Sequence, residues 1–251
     1  MPFSGVGVAL VTLFDERLQV DVASTAEHAA RMAEHGMQSI IVAGTTGEAF
    51  ALTPDERMAL IAAIKEALPG DIPVIAGTGA ASAHGAVALT QQAVAAGADA
   101  VLALSPPGSS DLRAYYTAVA HAAGDVPTLG YHFPKVSAPG ISLSILEELP
   151  IVGCKDSTGD PTRLLAEIGM EMPIFVGSAA ILSLAGPLGV QGAILQAANV
   201  SPELCVSAFG GDVEAQRALA PIHAAAGMPL GDGTKLEMMK RWGTSTASRI
   251  R

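Results

Sequence analysis

Lys155 closes an apolar run, "IVGC" (151–154), and the polar stretch "DSTGD" (156–160) follows it directly. A strand-like run that ends on an amine has two readings. If Gly153 and Lys155 face the interior of a closed sheet and Cys154 faces away, the amine leaves water. Burial disfavours an ammonium ion, and a neutral amine is a nucleophile that condenses with ketones and aldehydes. The imine so formed draws electrons from the adjacent carbon and lets a C–C bond be made or broken. If Lys155 faces outward, it pairs with Asp156 or Asp160 instead. Tyr131 lies near the end of another such run, "PTLGYHF" (127–133). Its phenol suits the proton movements of carbinolamine formation and retro-aldol cleavage, or it caps the rim of a sheet. A third feature is "GTTGE" (44–48), where Thr45 and Thr46 lie between Gly44 and Gly47. Such a turn exposes N–H groups and two hydroxyls, a carboxylate cradle by chemistry, although Gly-Thr turns are common.

These residues need a scaffold that gathers strand ends. Apolar runs recur at 7–14, 39–44, 73–78, 99–104, 127–133, 151–155, 173–178 and 192–196. They are nearly continuous in apolar residues rather than alternating, as strands covered on both faces are. Helical stretches separate them: 22–36, 53–70, 82–97, 111–124, 142–149, 160–169 and 201–211. Thr53, Pro54 and Glu56 spell a capping box with proline at its first helical position, and Gly36 suits the turn after a helix. Strand spacing of roughly 18 to 35 residues predicts an α/β fold, a (β/α)8 TIM barrel, whose reactive groups collect at the C-terminal ends of the strands. A doubly wound sheet fits less well, because "AGTGAASAHG" (76–85) has neither dinucleotide-binding glycine spacing nor a phosphate-loop lysine. The barrel is assigned to residues 1–211, and 212–251 to a short C-terminal helical extension of the same domain, helical over 213–242.

Half of the residues are hydrophobic and only 15% are charged, which excludes a disordered chain. The net charge of −10 disfavours nucleic acid and anionic membranes as partners. Cys154 and Cys205 offer no disulfide framework and no metal-ligand spacing, and read as buried apolar thiols. The opening "MPFSGVGVALVTLF" lacks a secretory pattern. No apolar run approaches the roughly 18 residues of a membrane span. A cytoplasmic location is expected.

Taken together, "GTTGE", "AGTGAASAHGAVALTQQAVAAGADAVLALSP", "YHFP", "GCKDSTGD" and "GAILQAANVSPEL" resemble the dihydrodipicolinate synthase/N-acetylneuraminate lyase family. The motifs run in family order from about residue 5 to residue 210. The resemblance implies that Lys155 is the Schiff-base lysine, Tyr131 the catalytic tyrosine, and Thr46 the threonine that hydrogen-bonds it. It implies that Thr45 and the N–H groups of Gly44 to Gly47 bind the carboxylate of a 2-oxo acid, typically pyruvate. Gly177, Ser178 and the Ile194 carbonyl would line the rest of the substrate site. No metal and no cofactor are implied; the partners are a 2-oxo acid and an aldehyde, and the chain is expected to form a homo-oligomer, dimer or tetramer.

Departures from the family pattern redirect the reading. Val136 stands where the synthases carry an arginine for the second substrate's carboxylate, with Lys135 one position away. Val136-Ser137 is more similar to the keto-deoxy sugar acid aldolases, which makes Ser137 a substrate-site candidate. Pro107-Gly108 replaces a tyrosine pair used in the proton relay and dimer packing. Tyr115 and Tyr116 read as packing residues, and His132 replaces an asparagine and reads as a buried imidazole or a substrate contact. The C-terminal helical region is short for the family. The function expected is a class I aldolase or lyase acting on a 2-oxo acid. The alternatives are a Schiff-base dehydratase or hydratase of a keto-deoxy sugar acid, dihydrodipicolinate synthesis, and a 2-oxo-acid sensor without catalysis.

Overall fold

Eight short runs pair side by side in chain order and close on themselves. They are β1 (Gly5–Ala9), β2 (Ile40–Val42), β3 (Val74–Gly77), β4 (Ala100–Leu104), β5 (Thr128–His132), β6 (Gly153–Asp156), β7 (Ile174–Val176) and β8 (Gly192–Leu195). Every pairing is parallel, including the closing pair of β8 with β1. The crossovers carry α1 (Val22–Glu34), α2 (Pro54–Ala67), α3 (Ala83–Ala95), α4 (Leu112–Ala123), α5 (Leu143–Leu146), α6 (Pro161–Ile168) and α7 (Leu182–Ala185). After the barrel closes come α8 (Pro202–Phe209), α9 (Val213–Ala225) and α10 (Asp232–Trp242). This is a (β/α)8 barrel with a C-terminal helical appendage. The computed structural model describes residues 3–109, 111–225 and 232–250. Met1, Pro2, Ser110, residues 226–231 and Arg251 lie outside the described residues, and with them the middle of the helix expected over 213–242.

Local chemistry explains most boundaries. Thr53 and Glu56 exchange hydrogen bonds in the capping box, and Asp21, Ser82, Asp111 and Asp160 each accept a first-turn N–H at the start of their helices. The strand expected over 7–14 ends early, at Ala9. There the Asn199 side chain replaces a neighbouring strand: its Nδ2 donates to Ala9 O at 2.7 Å and its Oδ1 accepts from Val11 N at 3.1 Å. The helix expected over 142–149 shrinks to four residues. Ser142 shares a 2.9 Å hydrogen bond with Ser144 instead of capping the first turn, and Leu149 precedes Pro150, a position that disfavours helix. Helix α7 carried no sequence signal; four residues are too few for periodicity to register.

Two apolar layers result. The outer one packs helices on the sheet and includes Tyr116, Cys154 and Cys205. The inner one holds Phe3, Ile41, Leu102, Leu129, Tyr131, Phe175 and Ile194. Phe3, just ahead of β1, packs against Phe175 with ring centroids 4.7 Å apart and planes tilted by 32°, at the N-terminal end of the barrel. Gly153 and Gly192 make room for the Phe175 ring: a Cβ on either would meet it at 3.3 Å or 3.1 Å, and a backbone oxygen closer still. The inner layer stops where the strands end in polar residues, leaving the C-terminal mouth open for a site.

Candidate active site

Strand alternation settles the direction of Lys155. It is in register with Tyr131 on β5 and Phe175 on β7, so all three point into the barrel, while Cys154 and Asp156 point toward α6. Lys155 and Tyr131 are each 5% exposed, and the amine sits 4.4 Å from the phenol ring centroid. Asp156 is no partner for it. Its carboxylate takes Thr158 N at 2.6 Å and the Thr158 hydroxyl at 2.9 Å, and it lies 3.2 Å from Arg163. Asp160 caps α6. Among the described residues no carboxylate lies within 4.0 Å of the Lys155 amine.

The amine opens onto a cavity of about 360 Å³ lined by Thr45, Thr46, Tyr131, Lys155, Gly177, Ser178 and Ile194, all expected there. The turn that follows β2 supplies one side of it, through Thr45 and Thr46. Gly47 N donates to Gly44 O at 3.0 Å and Glu48 N to Thr45 O at 3.1 Å. Those N–H groups are therefore used up in closing the turn. The N–H groups of Thr45 and Thr46 have no acceptor among the described residues, and they stand beside two hydroxyls. The cradle is thus narrower than expected, since Gly44 and Gly47 shape the turn rather than line the cavity. A side chain at Gly47 would press on Leu10 O at 2.9 Å.

Two expectations need correction, and one open alternative is decided. Ser137 does not line this cavity. Val136 N and Ser137 N both donate to Phe133 O, and this turn carries Ser137 away, so that its hydroxyl donates to Ser105 O at 2.5 Å. Ser137 borders a second cavity of about 310 Å³ with Val136, Pro107 and Arg57. Thr46 and Tyr131 share the first cavity without a direct hydrogen bond. The Tyr131 ring stacks on Phe133, and its hydroxyl faces Ser157, whose Oγ donates across 3.5 Å. His132 points away from the cavity and its Nδ1 accepts from Ile141 N at 2.8 Å, so it is the buried imidazole and not a substrate contact. Burial first and the Arg163 charge second push its pKa down to about 4. On the same outer side, burial first and Asp156 second push Glu167 up to about 8.

Ser157, Thr158, Gln196 and His223, none of them among the expected site residues, also line the cavity. Ser157 was within reach of strand alternation, being two residues beyond Lys155 and therefore on the same face. Gly177 is small on its account: a Cβ there would lie 1.9 Å from Ser157 Oγ and 2.9 Å from Lys155 Cε. His223 arrives on α9, and nothing local to it signals the site.

A parallel eight-stranded barrel whose polar strand ends converge on one cavity defines a (β/α)8 enzyme. The chain belongs to the dihydrodipicolinate synthetase family, whose family model matches residues 2–241, and it is a lyase. It is 34% identical over 241 residues to the 4-hydroxy-tetrahydrodipicolinate synthase of Pseudomonas aeruginosa, covering 88% of this chain and 82% of that one. It is 38% identical over 223 residues to a probable mitochondrial 4-hydroxy-2-oxoglutarate aldolase of Emericella nidulans, covering 80% and 71%. Among solved structures, the chloride-inhibited dihydrodipicolinate synthase of Acinetobacter baumannii, complexed with pyruvate, superposes with a TM-score of 0.88 at 30% identity, covering 100% of this chain and 92% of that one. No helix among the described residues is long and apolar enough to cross a membrane.

Proposed function

We propose that the protein is a class I pyruvate-type aldolase that works through an imine on Lys155. The observation that carries this reading is the Lys155 amine, 4.4 Å from the Tyr131 ring, opening onto the same cavity as the unpaired N–H groups of Thr45 and Thr46. The 2-oxo acid carboxylate binds the Thr45–Thr46 turn, which brings its carbonyl carbon to the amine. Lys155 adds to that carbon and water leaves, with the proton needed for dehydration coming from the Tyr131 hydroxyl. In cleavage the C3–C4 electron pair moves to C3 as an enamine. The C4 hydroxyl gives its proton to the Tyr131 oxygen and the aldehyde departs. Tyr131 then protonates C3, and hydrolysis of the iminium releases pyruvate, the free amine and the phenol. Bond formation is the reverse.

The outer end of the cavity bears on the aldehyde. Lys135 and His223 line it, while Val136 borders the second cavity instead. A lysine cation at the mouth favours an aldehyde carrying an anionic group, in keeping with the dicarboxylic substrate named for the Emericella relative. Burial first and Lys135 second lower the His223 pKa, leaving a neutral imidazole to hydrogen-bond such a group. Homo-oligomeric assembly belongs to the same reading, supported by Phe50, which is 63% exposed beside the second cavity. So does a cytoplasmic location.

Borohydride added in the presence of pyruvate should fix one reduced pyruvyl adduct, which peptide mass mapping places on Lys155. An unmodified Lys155 overturns the mechanism. Products from a panel of keto-deoxy sugar acids and dicarboxylic 2-oxo acids then separate aldol cleavage from dehydration. Turnover that depends on aspartate semialdehyde would assign the synthase reaction instead. Sedimentation velocity reads the assembly state.

A further inference from the structure

The carboxylate-binding turn is held from outside by the C-terminal segment. Ala43 and Glu48 bracket it, and both are non-glycine residues in the left-handed region, at φ 53° and 56°. Such conformations persist only where their surroundings enforce them. The turn's own backbone bonds, Thr12 Oγ1 donating to Gly47 O at 2.7 Å and Arg57 donating to Ala49 O contribute from within the barrel. Further enforcement, on Glu48 itself, comes from residues that follow the barrel. The Glu48 carboxylate, 1% exposed, accepts from Lys235 Nζ at 2.5 Å on one oxygen and from Arg249 N at 2.8 Å on the other. Lys235 is 1% exposed, also donates to Ala247 O at 2.7 Å, and lies 4.5 Å from the Phe14 ring centroid. Arg249 continues past the turn to Ala51 O at 3.0 Å and to both carboxylate oxygens of Glu56.

We infer that Glu48, Lys235 and Arg249 form a clamp that positions the Thr45 and Thr46 N–H groups for the substrate carboxylate. None of the three lines the cavity, so they act as positioning residues. The assignment of a carboxylate to that turn rests on the proposed function; the clamp itself is read from contacts which that function does not need. Removing one member of a buried ion pair leaves an uncompensated charge. Without Lys235, Glu48 has to move or take up a proton, and the backbone on its N-terminal side is the turn. Lys155 and Tyr131 stand on β6 and β5, across the barrel, and are untouched. The clamp therefore sets affinity for the 2-oxo acid and leaves chemistry at saturation alone.

The test uses the full chain with Lys235→Met, with Lys235→Arg as the conservative variant, and with the charge-free pair Glu48→Gln/Lys235→Met in case the single change does not fold. The readout is the pyruvate concentration that half-saturates borohydride trapping. It should rise at least about tenfold in Lys235→Met, on the scale of a misplaced binding group. Maximal trapping should stay unchanged, and Lys235→Arg should recover much of the loss. The double variant should also bind pyruvate weakly while folding. Calorimetric pyruvate binding is measured in parallel on a Lys155→Ala background, which needs no imine. If wild type traps nothing yet Lys235→Met weakens binding on that background, the imine reading fails and the clamp stands. Half-saturation and binding equal to the parent's in the folded variants, even with lowered thermal stability, would make the contact merely structural and overturn the inference.

Discussion

Ser157 Oγ lies 3.5 Å from the Tyr131 hydroxyl, and a methyl group on Gly177 would come within 1.9 Å of that same Oγ. The two residues belong to adjacent strand ends, and the missing side chain on one is what lets the other face the phenol. Gly177→Ala should therefore displace Ser157 and crowd Lys155 Cε without disturbing the apolar core. Overpacking of this kind costs about 1–3 kcal/mol where it acts, which here falls on Ser157 and Lys155, beside the groups of the proposed mechanism. The expected result is a fall in kcat of roughly tenfold to a hundredfold, on the same energy scale, with little change in Tm. Adding Ser157→Ala should restore part of it, and steady-state kinetics on the single and double variants checks both.

Lys135 and His223 line the same cavity as Lys155. Lys135→Ala should lower kcat/KM for aldols with a distal carboxylate by about tenfold, the loss expected for one exposed charge contact. Uncharged substrates of similar length should be unaffected. Parallel assays with a carboxylated and a neutral aldol measure the ratio, and equal losses on both would remove Lys135 from acceptor recognition.

Asn199 replaces a strand partner where β1 stops. Its side chain meets Ala9 O at 2.7 Å, Val11 N at 3.1 Å and Gln196 O at 2.9 Å. Asn199→Ala leaves a buried N–H and carbonyls without partners, so a loss of about 2–4 kcal/mol in unfolding free energy is expected. Asn199→Asp should be no better, because it cannot donate to either carbonyl. Urea titration followed by circular dichroism gives the values.

His28, on α1, is 1% exposed. Burial first and the Arg31 charge second push its pKa down to about 4. Between pH 6.5 and that value the unfolded chain takes up a proton that the folded chain refuses. This site therefore lowers stability as pH falls through that window, and its contribution is fully favourable only above it. At its limit the effect is about 3 kcal/mol. In His28→Leu the drop in Tm between pH 7 and pH 5 should be smaller than in wild type, which differential scanning fluorimetry across that range resolves.

How much of this could be read from the residues alone depended on how local each determinant was. The capping box at Thr53 and the continuous apolar runs are decided within a few residues, and the barrel follows from them. Lys155 was ambiguous in isolation, because alternation says which residues share a face but not which face is inside. Closure of the barrel decides that, through the register of Lys155 with Tyr131 and Phe175. Ser137 was misplaced because a turn's direction depends on where its N–H groups go, and Phe133 O collects two of them. Ser157 was legible by alternation and missed. The end of β1 at Ala9 and the hold on Glu48 were out of reach, since Asn199 and Lys235 act on residues more than a hundred and eighty positions away.

Phe175 and Phe3 close the N-terminal end of the barrel beneath Lys155. A floor that admits nothing turns the site into a dead-end street, where order of arrival is also order of depth. In the proposed reaction the 2-oxo acid must park first, against the lysine, and the aldehyde stops behind it. On the way out the aldehyde leaves first and pyruvate last. Product inhibition should carry that order: pyruvate competes with the incoming substrate for free enzyme, whereas the aldehyde meets only the occupied site.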